Sequence, residues 1–485
     1  MKRFDLDVAV IGGGSGGYAA ARTAANAGLK TVVIEGGEEV GGLCILRGCM
    51  PTKALLYAAE VKHLAERAET WGVRAGKVSF DFAKVMARKS AQVKDFADFR
   101  VNQLNSGKFK FIRANAKFLD AHMVELDNGK KLTAKSFVIA TGSHVAPAPL
   151  PQLDEAGFIT SDDALVLKRL PKSLIILGGG AIACEFAQFF ARFGVKVTIV
   201  QRSKHILKEF DFDAGIEIEK VFRREGIQIF TNTKLLDARI VGQASSLSKQ
   251  PLKRKMNRLE PCPTRKVISF EHKGKVISVS AEEILFALGR IPNTASLSLE
   301  NAGVKTENGR VITNGKMQTS APHIFAAGDC TGPHEIVHIA VTQGEIAAHN
   351  IAQPKSPRKM DDRLLISVVF TEPQVAFVGL TEKEANARGI KFIVASYPFN
   401  DHGKSLIMEA KDGFVKLLAN PKTGEILGGA CVGPVGGELI HEIVAAMAKR
   451  MTVHELAAMP HYHPTLAEIW TYPAEELEAT ILTSR

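Results

Sequence analysis

Two cysteines mark where this chain can do chemistry. In the stretch 41–53, GGLCILRGCMPTK, Cys44 and Cys49 have four residues between them, with Gly48 just before the second and Pro51 just after it. A regular helix separates residues five apart by about 7.5 Å along its axis. A disulfide tolerates a Cα separation of only roughly 4.4–6.8 Å. If the two cysteines pair, the main chain between them must leave the helix, and Gly48 and Pro51 permit that. The run KALLYAAEVKHLAERAE that follows has helical apolar spacing. It puts Cys49 at or near a helix N-terminus, where the helix dipole stabilises a thiolate. Two buried, reduced cysteines of an intracellular chain would read the same way.

A reactive thiol needs a base, and the other end of the chain offers one. In HYHPTLAE, His463 lies five residues before Glu468. A carboxylate at that position can fix the imidazole tautomer and raise its basicity. The alternative is an ordinary surface histidine ahead of a Pro-Thr helix entry. His461 and His463, read as alternate residues of a strand, face the same way and could bind a metal. No cysteine or acid is spaced to complete such a site, so no metal centre is expected.

Two nucleotide-binding patterns are the elements that must position these groups. LDVAVIGGG is an apolar strand running into Gly12, Gly14 and Gly17 at GxGxxG spacing, followed by an alanine-rich helix to Gly28. A second strand, KTVVIE, ends at Glu35, 23 residues after Gly12. The glycines let the backbone approach a pyrophosphate, the helix N-terminus carries partial positive charge, and Glu35 can accept from ribose hydroxyls. The pattern returns in SLIILGGGAIACEFAQFFARFG with Gly178 and Gly180, but Ala183 holds the third position. The strand VKVTIV then ends in Gln201, Arg202, Ser203 and Lys204. No acid stands there to take a ribose 2′-hydroxyl, and the basic residues suit a 2′-phosphate, so the reading leans to NADP over NAD. Two sites imply two dinucleotides, a held flavin and a diffusible nicotinamide, with the cysteine pair exchanging two electrons with the flavin.

Composition sets the limits. A chain of 485 residues with 46% hydrophobic content and 42 glycines suits several α/β domains. No apolar run is long enough for a bilayer, and the first strand follows MKRFD directly, so the expectation is a cytoplasmic protein without membrane contact. Six cysteines over this length are no secreted disulfide framework. Of the net charge of +11, the segment 242–266 contributes seven Lys/Arg against one Glu, hence +6. That segment reads as a surface insertion in a hairpin, with Cys262 incidental, and nucleic acid is not an expected partner. Residues 54–110 read as helix, with a second long helical run over 77–107, and DNGK at 127–130 as a hairpin turn. VAPAPLP after Thr141-Gly142 reads as a linker. Asp329 after AAG fits an aspartate at a flavin ribityl chain, and a strand-rich region begins near 363.

The motifs GGGSGG, CILRGC, ATGS, GGGAIACE, ALGRIPN, AAGD and HPTLAE, in this order, resemble the flavin-dependent pyridine nucleotide–disulfide oxidoreductases. That superfamily includes lipoamide dehydrogenase, glutathione reductase and mercuric reductase. The resemblance covers all but the segment 242–266. It implies an α/β fold with two Rossmann-like domains, for FAD and NAD(P), and a C-terminal α+β dimerisation domain. The expected boundaries are 1–150 for FAD, 151–286 for NAD(P), 287–355 returning to the first domain, and 360–485 for dimerisation. It further implies FAD, NAD or NADP, and a homodimer whose histidine serves the partner's cysteines. By position, Cys44 would be the interchange thiol and Cys49 the thiol beside the flavin. Lys53 would pair with Glu185 near the flavin, and His463 would be the acid/base oriented by Glu468. Gly12, Gly14, Gly17, Glu35, Thr141, Gly142, Gly289 and Asp329 would hold FAD, and Gly178, Gly180 and Arg202 the nicotinamide cofactor.

Within the family, the lysine and ALL after the cysteines and the HPTLAE ending resemble dihydrolipoyl dehydrogenase, acting on a dithiol or disulfide. The chain ends EATILTSR, without the cysteine pair that mercuric reductases carry there. Leu43, Leu46 and Arg47 depart from the usual GGTCxNxGC, and Arg47 adds a charge that could depress a thiol pKa or favour an anionic substrate. Two alternatives remain at this point. One is an NADPH-dependent reductase of another disulfide, a quinone or a metal ion. The other is a flavoprotein whose basic insertion makes it a binding or sensing module.

Overall fold

The strand β1 (Leu6–Ile11) is apolar on both faces, and it sits at the centre of a sheet. Even-numbered Val8 and Val10 enter one apolar cluster, while Leu6, Ala9 and Ile11 enter another. A strand buried on both sides is what a parallel sheet covered by helices requires. β1 pairs in parallel with β2 (Thr31–Glu35) and with β6 (Lys131–Ile139), Ile11 lying opposite Ile34 and Ile139. The crossover between β1 and β2 is the alanine-rich helix α1 (Ser15–Asn26).

This computed structural model describes residues 4–242 and 265–483. Its chain forms two compact units, one of residues 1–54, 84–147 and 289–361, the other of 55–83, 148–288 and 362–485. In the first unit the sheet runs β3 (Lys110–Arg113), β2, β1, β6, β5 (Met123–Leu126) and β4 (Ala116–Asp120), with the strand Ile324–Ala326 also paired to β6. The hairpin at 127–130 joins β5 and β6, as its turn residues indicate. The helix Val337–Ala352 packs along α1 through Gly16 and Gly344, where any side chain would meet backbone.

The second unit repeats the pattern with the strands Gln228–Phe230, Lys196–Val200, Ser173–Leu177 and Glu283–Phe286, all parallel. Its crossover helix Ala181–Arg192 buries Phe186, Phe189 and Phe190. Three antiparallel strands, Thr233–Val241, Arg265–His272 and Lys275–Ala281, follow the second nucleotide motif. From residue 366 a five-stranded antiparallel sheet carries the helices Gly436–Ala448 and Thr471–Thr483 on a core that buries Trp470 completely.

Three local expectations differ from the structure. The second helical run, read over 77–107, is shorter in the structure. α2 (Gly42–Leu46) and α3 (Cys49–Glu66) are followed by a short turn, and α4 (Phe82–Leu104) starts only after an irregular stretch. Gly72 and Gly76 there adopt positive φ, which a helix does not accommodate. The stretch around His461 and His463 is irregular rather than a strand, so alternation does not set where those rings point. The basic segment is shorter than read, because Arg265 and Lys266 already belong to a strand, with Arg265 paired to Val241. The rest of that segment, Cys262 included, lies outside the described residues.

Candidate active site

The cysteine pair owes its geometry to a break between two helices. α2 closes at Arg47, Gly48 turns the chain, and α3 begins at Cys49. A Cβ on Gly48 would lie 2.9 Å from the Leu43 carbonyl oxygen and 3.1 Å from the Cys44 Cα. Only a residue without a side chain lets the main chain fold this tightly. The fold-back brings the two half-buried side chains into hydrogen-bond contact. The shared hydrogen bond to Cys49, then burial, then the Cys49 charge push the Cys44 thiol far above its ordinary value. The Cys49 main-chain N–H and the Lys53 ammonium, one turn further along α3, pull the other way. Two thiols this close ionise as a pair, so one keeps its proton when the other loses it. Arg47 is ion-paired with Glu39, so its charge is already engaged.

The first nucleotide cradle is built from four segments of the first unit. Gly12 has φ +107°, and a Cβ there would sit 2.2 Å from the Ala140 carbonyl oxygen. Gly14 caps α1 without a side-chain hydrogen bond, and no acid stands in the first turn. The helix N–H groups are therefore free for an anion such as a pyrophosphate. Glu35, at the end of β2, accepts from Gly13 N and Gly37 N, each at 2.7 Å, which aims its carboxylate beside the glycine turn. The Thr141 hydroxyl is buried without a partner among the described residues. Its carbonyl and that of Gly142 accept from the Asn293 side chain and main chain at 3.1 and 2.9 Å. Asp329 accepts from Ser143 Oγ at 2.7 Å, and Arg290 donates to the same Ser143 oxygen at 2.8 Å. Gly289 accepts from Ala146 N, tying the end of this segment to β7 (Ser143–Val145). An uncapped helix, a ribose-side carboxylate and an orphaned hydroxyl fit the polar groups of a flavin dinucleotide. Ser143, Arg290 and Asn293 were not singled out from sequence, although they lie in or beside ATGS and ALGRIPN.

In the second unit, Gly178 has φ +112° and closes on the Ala287 carbonyl as Gly12 does on Ala140. Gly180 caps its helix with no side-chain hydrogen bond and nothing within 4 Å of a built Cβ. Ala183 is buried, so a methyl is accepted where at Gly17 it would meet the Gly12 oxygen at 1.9 Å. Gln201 is buried and turns its amide back to the Arg202 N–H at 3.0 Å, leaving Arg202 and Lys204 exposed beyond it. Glu185 is buried, and its carboxylate accepts from Phe370 N at 2.9 Å.

The C-terminal pair is formed. His463 Nδ1 lies 2.9 and 3.1 Å from the two Glu468 oxygens, with His463 largely exposed and Glu468 only 8% exposed. A second imidazole, from His402, faces the same carboxylate. It is 0% exposed, with Nε2 3.3 Å from Glu468 Oε1, off line for a good hydrogen bond, and Nδ1 2.8 Å from Ser405 Oγ. Burial holds His402 below the ordinary histidine pKa, against the pull of Glu468. No sequence signal pointed to His402, which sits in a turn without period. His461 has both ring nitrogens engaged, by Glu442 and the Met459 carbonyl.

Residues 6–344 match the model of the pyridine nucleotide-disulphide oxidoreductase family, and residues 365–474 match its dimerisation domain. A dihydrolipoyl dehydrogenase of Bacillus subtilis (strain 168) is 36% identical over 476 residues, covering 96% of both chains. A mercuric reductase of Staphylococcus aureus is 32% identical, covering 96% of this chain and 81% of its own. Among solved structures, the HOCl-induced flavoprotein disulfide reductase RclA from Escherichia coli superposes with a TM-score of 0.81 at 26% identity, over 97% of this chain and 99% of that one. No helix among the described residues is long and apolar enough to cross a membrane. By the matched models and the full-length relatives, this chain belongs to the pyridine nucleotide-disulphide oxidoreductase family and is a flavin-dependent oxidoreductase acting on sulfur groups.

Proposed function

We propose that this enzyme oxidises a dihydrolipoyl-type dithiol and delivers the electrons to a nicotinamide nucleotide, working as a cytoplasmic homodimer. The observation that carries the reading is the contact of Cys44 with Cys49, the second at a helix N-terminus with Lys53 one turn on. In this reading His463, held by Glu468, takes the proton of one substrate thiol. The thiolate attacks Cys44 of the oxidised pair, the Cys44–Cys49 bond breaks, and Cys49 leaves as a thiolate that the helix terminus stabilises. The second substrate thiol then displaces Cys44, releasing a cyclic disulfide and leaving two electrons on the pair. FAD, bound at the first cradle, supplies the two-electron step between the cysteines and the nicotinamide. Lys53, one turn after Cys49, would act near the flavin, and the dimer brings His463 of each chain to the cysteines of the other.

The nicotinamide is NADP. Gln201 is turned back on its own main chain, no acid replaces it, and Arg202 and Lys204 are exposed for a 2′-phosphate. The same basic residues favour a second reading, in which NADPH drives reduction of another disulfide.

Anaerobic turnover of the purified protein with lipoamide and NADH, against glutathione disulfide and NADPH, tests these readings. Fast lipoamide turnover supports the dihydrolipoyl assignment. Reduction by NADPH with neither disulfide consumed overturns it. A higher kcat/KM for NADH than for NADPH overturns the cofactor choice.

A further inference from the structure

Arg100 stands near the end of α4 with its guanidinium carbon 4.3 Å from the centroid of the Tyr18 ring. Its Nε and Nη1 are buried, and neither has a hydrogen-bond partner among the described residues. One turn along the same helix, the Gln103 side-chain oxygen is also buried without a partner. Arg100 as a residue is half-buried, but these atoms are shut off from solvent, and a buried donor without an acceptor is costly. The Tyr18 ring supports the face of the guanidinium but cannot accept from its in-plane N–H groups.

The other arginines of this corner are engaged, Arg22 with Glu345 and Arg47 with Glu39. Arg100 is therefore the cation whose donors still need an anion. Its surroundings tie it to the cysteine pair. The Tyr18 N–H donates to the Gly14 carbonyl at 2.8 Å, and a Cβ built on Gly42, two residues before Cys44, would lie 2.7 Å from the Gly14 Cα. Burial weakens the hold of Arg100 on its proton.

We propose that Arg100 is a specificity-determining residue that receives the anionic group of the substrate, so that the enzyme prefers a dithiol bearing a carboxylate to the same dithiol as a neutral amide. This deepens the dithiol reading above and rests on it. A guanidinium suits a carboxylate because its planar donors match two acceptor oxygens, and burial strengthens the pairing. In this proposal Arg100 is the cation that meets the anionic substrate group, while Arg47 is ion-paired with Glu39.

The test compares dihydrolipoate with dihydrolipoamide, which carry the same dithiol, using the full-length, FAD-loaded enzyme and its Arg100→Met and Arg100→Lys variants. Wild type is expected to show the higher kcat/KM for dihydrolipoate. Arg100→Met is expected to raise KM for dihydrolipoate at least tenfold with little change in kcat, and to leave dihydrolipoamide within twofold. Arg100→Lys is expected to recover part of the loss. Equal loss on both compounds, or loss of bound flavin, would mean that Arg100 serves the fold, the cofactor or the dimer, and would overturn the proposal. So would a wild type indifferent to the carboxylate, a result that stands even if a variant fails to fold. If wild type turns over neither compound, the dithiol reading itself fails, which is distinct from losing the preference alone.

Discussion

Replacing Glu468 with Gln changes almost nothing in shape and removes one charge, at the point where the proposed base is held. Glu468 presents both oxygens to His463 Nδ1, at 2.9 and 3.1 Å, and one of them to His402 Nε2 at 3.3 Å. A glutamine has one oxygen and one NH2 for the two imidazoles. If the NH2 faces His463, Nδ1 must accept, the ring proton moves to Nε2, and the base can no longer take a proton there. If the oxygen faces His463, the tautomer survives but a charge-assisted hydrogen bond becomes a neutral one. A hydrogen bond to a charged group contributes about 1.5–3 kcal/mol, against about 1 kcal/mol for a neutral pair. The difference, about 0.5–2 kcal/mol, corresponds to roughly a 2- to 30-fold fall in the rate of the dithiol step, since each 1.36 kcal/mol is tenfold. Loss of the correct tautomer deepens this towards the 10²- to 10⁴-fold typical of removing a general base. Stopped-flow flavin absorbance separates the two half-reactions: reduction by dihydrolipoamide should slow, and reduction by the nicotinamide nucleotide should not. If both half-reactions fall together, or the dithiol half is unchanged, His463 and Glu468 do not form the base assembly argued for here.

Gly12→Ala forces a side chain into a φ of +107° and 2.2 Å from the Ala140 oxygen, a strain of about 1–3 kcal/mol before any overlap. The purified variant should carry less FAD by its 450 nm absorbance, and full flavin content would contradict the cradle. His63, His323 and His402 are each held below the ordinary histidine pKa, burial being the largest cause in every case. The unfolded chain then binds more protons than the fold, so stability is full above about pH 6.5 and declines as the pH falls below it. Thermal unfolding at pH 7.5 and 5.5 should show the decline, His402→Phe should lessen it, and a flat profile would remove the argument. Lys416 is 3% exposed by side chain and holds Asp211, Asp213 and Glu382. Lys416→Met should lower stability in a urea titration by about 1–3 kcal/mol, because Asp211 loses its buried cation while Asp213 and Glu382 stay partly solvated.

The sequence was most informative where chemistry and local geometry coincide. The break at Gly48, the start of α3 at Cys49, the two glycine turns and the His463–Glu468 contact were all readable, because each depends on residues close in the chain or on a motif with a fixed shape. What was not readable depends on distant segments. His402 reaches Glu468 across 66 positions, from a turn with no periodic signal. Arg100 looks like one more charge on an amphipathic helix until Tyr18 is placed beneath it. Arg47 shows the reverse case, a charge conspicuous beside the cysteines that Glu39 engages. A helix boundary was misplaced at the second long run, which starts at Phe82 rather than at residue 77.

The first unit draws on three separate stretches of chain, and this has a consequence for synthesis. Val8, Val10, Val33 and Val138 share one apolar cluster with Met317, Phe325, Ile346 and Ala347. A growing chain therefore makes the amino-terminal strands long before the residues that cover them. Between residues 147 and 361 lie 214 positions, roughly 10–40 s at a translation rate of about 5–20 residues per second. Through that interval the second nucleotide-binding sheet can close on its own while the first stays open on one side. The amino-terminal strands thus wait for the residues around Met317, Phe325 and Ile346 before that apolar cluster is complete.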